Sequence, residues 1–131
     1  MRPEASPDQV GVITLGAGVA VAEAVGVSGL RCTVKWPNDV QVRERKLAGI
    51  LTESRVEGGK VAAVVIGIGL NVHQDAGDFP QHLRPIATSI YREGRTVERS
   101  LLLAEILNRL EAMFSGSTQS VLSDWRRLAV G

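Results

Sequence analysis

The sequence predicts an α+β domain in which a mostly antiparallel, mixed sheet is packed by helices. Three features carry that expectation. Apolar stretches at residues 31–36, 40–53 and 60–72 follow one another through connections too short for a crossover helix. Helical periodicity is confined to the ends, over residues 7–25 and 98–128. Strands and helices do not alternate between those ends, as a parallel sheet would require. At 131 residues the chain has the length of one domain, and a chain of this size buries about two thirds of its unfolded surface.

The first helix is expected over residues 7–25, with Ser6 as N-cap, Pro7 at the first helical position and Gln9 at the third. Val12, Leu15, Val19 and Ala22 share one face, and the other faces are nearly as apolar, which marks a buried helix. Gly11, Gly16 and Gly18 weaken it but permit close packing against a sheet. Gly26 is the expected C-cap. The apolar run at 10–22, broken only by Thr14, falls short of the about 20 residues that span a bilayer. Glu4 and Asp8 spoil the basic flank that a secretory leader needs.

Residues 31–36 form a short strand, in which Trp36 is expected to be a core anchor. Pro37-Asn38-Asp39 supplies turn chemistry. Residues 40–42 and 47–53 form a hairpin across Arg43-Glu44-Arg45-Lys46, and Gly58-Gly59 turns the chain into a long apolar strand at 60–72. Residues 73–95, with Pro80, Pro85 and Gly94, are irregular. In the helix at 98–114, Leu103, Ile106, Leu107, Leu110 and Phe114 have core-facing spacing. Gly116 stops it, and a last helix at 118–128 carries Trp125.

Fifteen basic and fourteen acidic residues leave neither sign dominant, so no nucleic-acid or anionic-membrane surface is expected. The single cysteine, Cys32, forms no intrachain disulfide and suits a reducing cytoplasm; its apolar setting makes it buried filler.

Chemistry concentrates in two places. Lys35-Trp36-Pro37-Asn38-Asp39 is a polar loop, and Lys46 follows Asp39 by seven residues at the mouth of an apolar strand. A lysine there can hold an anionic phosphate, while Asp39 holds the lysine in place or accepts a proton. The same residues also make an ordinary turn with a solvated lysine. Further on, Gly67-Ile68-Gly69-Leu70-Asn71-Val72 places two glycines inside a strand, where they pack nothing and often mark the close approach of a ligand or backbone. The third glycine of a dinucleotide fingerprint is missing. The Asn71 amide can bond an adenine edge or start a turn. His73, His82, Asp75 and Asp78 fit no standard zinc spacing and are expected in a solvated loop.

Taken together, Lys35-Trp36-Pro37-Asn38-Asp39, Lys46-Leu47-Ala48-Gly49-Ile50-Leu51-Thr52-Glu53 and Gly67-Ile68-Gly69-Leu70-Asn71-Val72 resemble three successive motifs of the biotin–protein ligases, and Ala87-Thr88-Ser89-Ile90 looks like a fourth. The resemblance implies a class II synthetase-like catalytic fold. It implies ATP-dependent activation of biotin to biotinyl-AMP and transfer to a lysine of a biotin carboxyl carrier protein. Lys46 and Asp39 would be catalytic. Lys46, Gly49, Asn38, Gly67, Gly69 and Asn71 would bind substrate, and Asp39 would hold Mg2+. The family's Gly-Arg-Gly-Arg loop and its small C-terminal β-barrel have no counterpart in these residues, and Gly94-Arg95 stands alone. Residues 1–131 are therefore expected to correspond to the C-terminal portion of such a catalytic domain. An open sheet edge that invites a second chain or homodimer, and weak activity in isolation, follow from that expectation. No helix-turn-helix for DNA is expected among these residues. A lipoate–protein ligase-like transferase and a non-catalytic binding or oligomerisation remnant are the alternatives.

Overall fold

The computed structural model describes residues 9–130. Its elements are α1 (Val10–Gly26), β1 (Thr33–Lys35), β2 (Asp39–Val42), β3 (Arg45–Glu57), β4 (Lys60–Leu70), α2 (Arg99–Phe114) and α3 (Thr118–Leu128). The strands form one antiparallel meander in the order β1-β2-β3-β4. Among the described residues, parallel pairing is limited to two isolated bridges, Val34 with Ala129 and Lys46 with Ala87.

α1 is the middle layer. Residues 15–22 are buried without a break, so no face of this stretch meets solvent. Two glycines show what lies on either side. A Cβ on Gly18 would meet Val34 of β1 at 3.8 Å, whereas one on Gly16 would meet Met113, Phe114 and Val121 of α2 and α3 at 2.9–3.3 Å. Close packing of glycine against the sheet thus holds for Gly18. Gly16 instead admits the other two helices, and Gly11 has nothing within 4 Å. The predicted caps Ser6 and Pro7 lie outside the described residues. Thr14 meets Thr52 of β3, hydroxyl to hydroxyl, at 2.8 Å. Glu23 pairs with Arg109 of α2 at 2.8 Å and Arg127 of α3 at 3.0 Å, so one carboxylate joins three helices.

The β2–β3 and β3–β4 hairpins each close through two left-handed residues, the geometry that matches strand twist. At Gly58 and Gly59 (φ 57° and 77°) the residue type suits it. At Arg43 and Glu44 (φ 49° and 67°) it does not. The predicted four-residue loop is therefore shorter, with Arg45 and Lys46 already on β3. β3 also runs to Glu57, beyond the predicted end at residue 53. Its charged residues Glu53, Arg55 and Glu57 face solvent, while Val56 pairs with Val61.

Two packing expectations are corrected. In α2 the buried stripe is Leu102, Ile106 and Leu110, with Phe114 partly buried against the core; Leu103 and Leu107 are 57% and 55% exposed. Trp36 is not a core anchor. It is 67% exposed and packs edge-to-face on Trp125 of α3, with ring centroids 6.0 Å apart. Cys32 is buried as expected, and its thiol is pushed up to about 12, first by burial and then by the charge of Glu93.

The sheet edges differ. Beside β1 the chain returns, and the Val130 amide donates to the Val34 carbonyl at 3.0 Å. β4 is the other edge strand, eleven residues long.

The corrected stripe on α2 separates two neighbouring leucines. Leu102→Ala should destabilise the fold by about 2–4 kcal/mol through the cavity it leaves. Leu103→Ala should cost less than about 1 kcal/mol. Urea unfolding of the two variants measures the difference.

Candidate functional site

The site is built on the sheet face turned away from α1, and a β-bulge creates it. Residues three apart in a regular strand point to opposite faces. Lys46 and Gly49 would then be separated by the sheet. Between Val40 and Gln41 of β2, however, the pairing with β3 slips: Val40 opposes Ala48, and Gln41 opposes Lys46. Leu47 is the extra residue. Leu47 and Ala48 both turn inward and are fully buried. Lys46 is returned to the outer face, where its Nζ lies 3.1 Å from the position a Cβ on Gly49 would take.

Register sets the neighbours. Lys35 opposes Asp39, Asp39 opposes Gly49, and Gly49 opposes Gly69, which gives one row across all four strands. Gly67 lies two residues along β4, opposite Leu51. Three backbone-only positions therefore form a shallow floor, with the ammonium of Lys46 above it. Asp39 Oδ1 is 3.3 Å from that ammonium. The lysine side chain is half exposed and the carboxylate about a quarter, so the pair adds little stability in water. Its effect is to fix where the positive charge stands.

Asn38 has a different place. Its Nδ2 donates to the Ile50 carbonyl at 2.9 Å, and the Ile50 amide donates back to its carbonyl at 2.9 Å. This amide ties the loop after the cis Trp36–Pro37 bond to β3 and so sets the start of β2 at Asp39.

Asn71 follows β4, and the pleat gives it the same sense as Gly67 and Gly69. Its backbone amide donates to the carbonyl of the bulge residue Leu47 at 3.0 Å, and its Nδ2 donates to the Thr88 carbonyl at 3.0 Å. Thr88 also binds Lys46: the Thr88 amide donates to the Lys46 carbonyl at 2.8 Å, and the Lys46 amide donates to the Ile86 carbonyl at 2.8 Å. The Thr88 hydroxyl donates to Glu93 at 2.6 Å. The Glu93 side chain is only 2% exposed, and Arg43 and Arg45 approach it at 3.7 and 3.6 Å.

Thr88 and Glu93 are the residues that reasoning on the sequence missed. Thr88 stood in a motif noted only by resemblance. A single acidic residue in an irregular segment carried no signal at all.

The second cluster of polar residues is used by the loop itself. Asp75 and Asp78 cap a single 3-10 turn at Ala76–Asp78, and His73 Nε2 lies 3.0 Å from the Val97 carbonyl. A hollow of about 300 Å³ opens there, lined by Leu70, Val72, His73, Gln74, Asp78 and Arg99, and is not bordered by Lys46 or the glycines. Among the described residues, no three acidic, histidine or cysteine side chains gather as a metal cage. Asp39 alone suits Mg2+ only as magnesium often binds, through one carboxylate and the phosphates of a nucleotide.

Comparison with known proteins follows the same lines. Residues 2–71 match the Biotin/lipoate A/B protein ligase family. The chain is 38% identical over 109 residues to the bifunctional ligase/repressor BirA of Bacillus subtilis (strain 168), covering 82% of this chain and 34% of that protein. It is 39% identical over 109 residues to the biotin–[acetyl-CoA-carboxylase] ligase of Mycobacterium tuberculosis, covering 78% of this chain and 37% of that one. Among solved structures, a biotin protein ligase from Aquifex aeolicus in complex with biotin and ATP aligns with a TM-score of 0.78 at 25% identity, over 96% of this chain and 55% of that chain. The chain thus spans little more than a third of the length of these curated relatives.

A charge pair that serves a site rather than the fold has an energetic signature. Lys46→Ala should shift unfolding stability by less than about 1 kcal/mol, read by urea denaturation. A loss of several kcal/mol would mark the pair as structural.

Proposed function

The chain belongs to the biotin/lipoate A/B protein ligase family, and from that premise we infer that it carries the adenylate-facing part of a biotin–protein ligase site. In the proposed reaction the biotin carboxylate attacks the α-phosphorus of ATP. A P–O bond forms, pyrophosphate leaves, and biotinyl-AMP results. A lysine amine of a carrier protein then attacks the acyl carbon. The new amide forms as AMP leaves, and the amine gives up a proton.

The observation that carries this reading is the Lys46 ammonium, held beside Asp39 over a glycine floor. Negative charge gathers on phosphorus-bound oxygens in the first step and on the carbonyl oxygen in the second. A preorganised cation stabilises both without reorganising. The glycines at 49, 67 and 69 let a flat ligand approach the sheet backbone. Asn71 faces the base end and Lys46 the phosphate end. Asp39 orients Lys46 and takes the proton of the incoming amine, whose usual pKa of about 10.4 leaves it mostly protonated at neutral pH. Mg2+, carried in by the nucleotide and held by Asp39, would screen the phosphate charge.

The partner in this reading is a biotin carboxyl carrier protein, and the setting is the cytoplasm, where ATP is at hand. The edge of β4 is the proposed place for a second chain to pair, as an exposed strand edge invites. The family's Gly-Arg-Gly-Arg loop has no counterpart among these residues, so the assay supplies it.

Pyrophosphate release from ATP, with a peptide carrying that loop added in trans, tests the proposal. Biotin should drive release, and Lys46→Ala should abolish it while the fold persists. Release driven by lipoate instead would move the chain to the lipoate branch of the family. No release with either acid from a folded chain would defeat the proposal.

A further inference from the structure

The two residues of the proposed site lie on different elements, Lys46 at the start of β3 and Asn71 after the end of β4. Both bind the same residue, Lys46 through its backbone carbonyl and Asn71 through its side chain. Thr88, fully buried, donates its amide to Lys46, accepts from the Asn71 side chain and gives its hydroxyl to Glu93. The next turn of chain repeats the link, because the Ile90 amide donates to the Asn71 carbonyl at 3.1 Å. Glu93 is anchored in turn from the far side. Its amide donates to the Ser89 carbonyl at 3.1 Å, and Arg43 and Arg45 flank its carboxylate. Arg45 is the residue before Lys46.

A carboxylate buried this deeply must keep its donors, or the cost of removing it from water goes uncompensated. The Thr88 hydroxyl is the closest donor to it, at 2.6 Å; the two guanidinium groups stand a full ångström farther off. The hydroxyl thus closes the 88–93 turn on itself, the two guanidinium groups tie that turn to the β2–β3 hairpin, and the backbone of Thr88 joins Lys46 to Asn71.

We propose that Thr88, locked by Glu93, is a positioning residue that sets the distance between the phosphate-binding and base-binding ends of the site. The inference rests on the ligase reading of Lys46 and Asn71. A positioning role differs from a general structural one in what it disturbs. Misalignment of the two ends touches the nucleotide, which both ends grip, more than biotin.

The test uses Thr88→Val, which removes only the hydroxyl function, and Thr88→Ser, which keeps it. In biotin-dependent pyrophosphate release under the conditions above, Thr88→Val should lower kcat/KM for ATP about tenfold or more, the scale of one bond to a charged group. KM for biotin should move by less than about threefold, and Thr88→Ser should restore the ATP value. An unchanged ATP value, or equal loss for both substrates, overturns the inference. Amide exchange followed by NMR decides it without any catalysis. In Thr88→Val the amides of Lys46, Thr88 and Ile90 should exchange about tenfold faster while Val21 in α1 is unchanged. Unaltered exchange at Lys46 overturns the inference even in an active protein. If the parent shows no release with any acid, the ligase reading falls, and the exchange result still stands or falls alone.

Discussion

One irregularity in strand pairing governs the outer face. Without the extra residue at Leu47, Lys46 would point at α1, and a charge would lie in an apolar layer at prohibitive cost. With it, two consecutive side chains turn inward and fill the core beneath the sheet. Burying a leucine contributes about 1.5–3 kcal/mol, so packing beneath the sheet and the cost of burying the lysine favour the same slip. The core thus decides which face Lys46 occupies. The glycine at 49 then leaves room for the ammonium to lie down against the strand, close to Asp39.

The two faces of the sheet have opposite characters for a physical reason. The inner face meets a helix that is apolar on every side. That helix makes its polar contacts through Thr14 and Glu23, toward β3 and the other two helices. The outer face carries the glycines, the paired charges and exposed Leu51 and Val65. A rigid layer behind and a bare layer in front let the backbone itself contact a ligand, which side chains at those positions would prevent.

The order and kind of elements were legible in the sequence because they follow from local pattern. Short apolar runs, the Gly58-Gly59 turn and Gly116 before α3 all act over a few residues. What was not legible depends on distant partners. Leucines at 101, 102, 103 and 107 offer α2 more than one apolar stripe, and only docking on α1 selects the one through Leu102 and Ile106. Arg43 and Glu44 carry none of the residue preference of the turn they make. Arg43 there faces Glu93, fifty residues later in the chain. The site divides in the same way. Lys46, Asp39, Gly49 and Gly69 were named from motif resemblance; register brings Asp39, Gly49 and Gly69 into one row, and Lys46 reaches it through its side chain, beside Asp39. Asn38, expected at the substrate, gives an amide hydrogen to the Ile50 carbonyl. The slip at Leu47 leaves no trace in hydropathy, since one more apolar residue in an apolar strand looks like the rest.

The contact between Trp36 and Trp125 has an optical consequence. These are the chain's two tryptophans, and they touch. Tryptophan emission of this molecule, excited selectively over tyrosine, therefore reports a single spot, where the loop bearing Asn38 rests on the last helix. A spectral change on adding a nucleotide would register movement of that loop, while loosening of the distant β3–β4 hairpin would leave the signal silent.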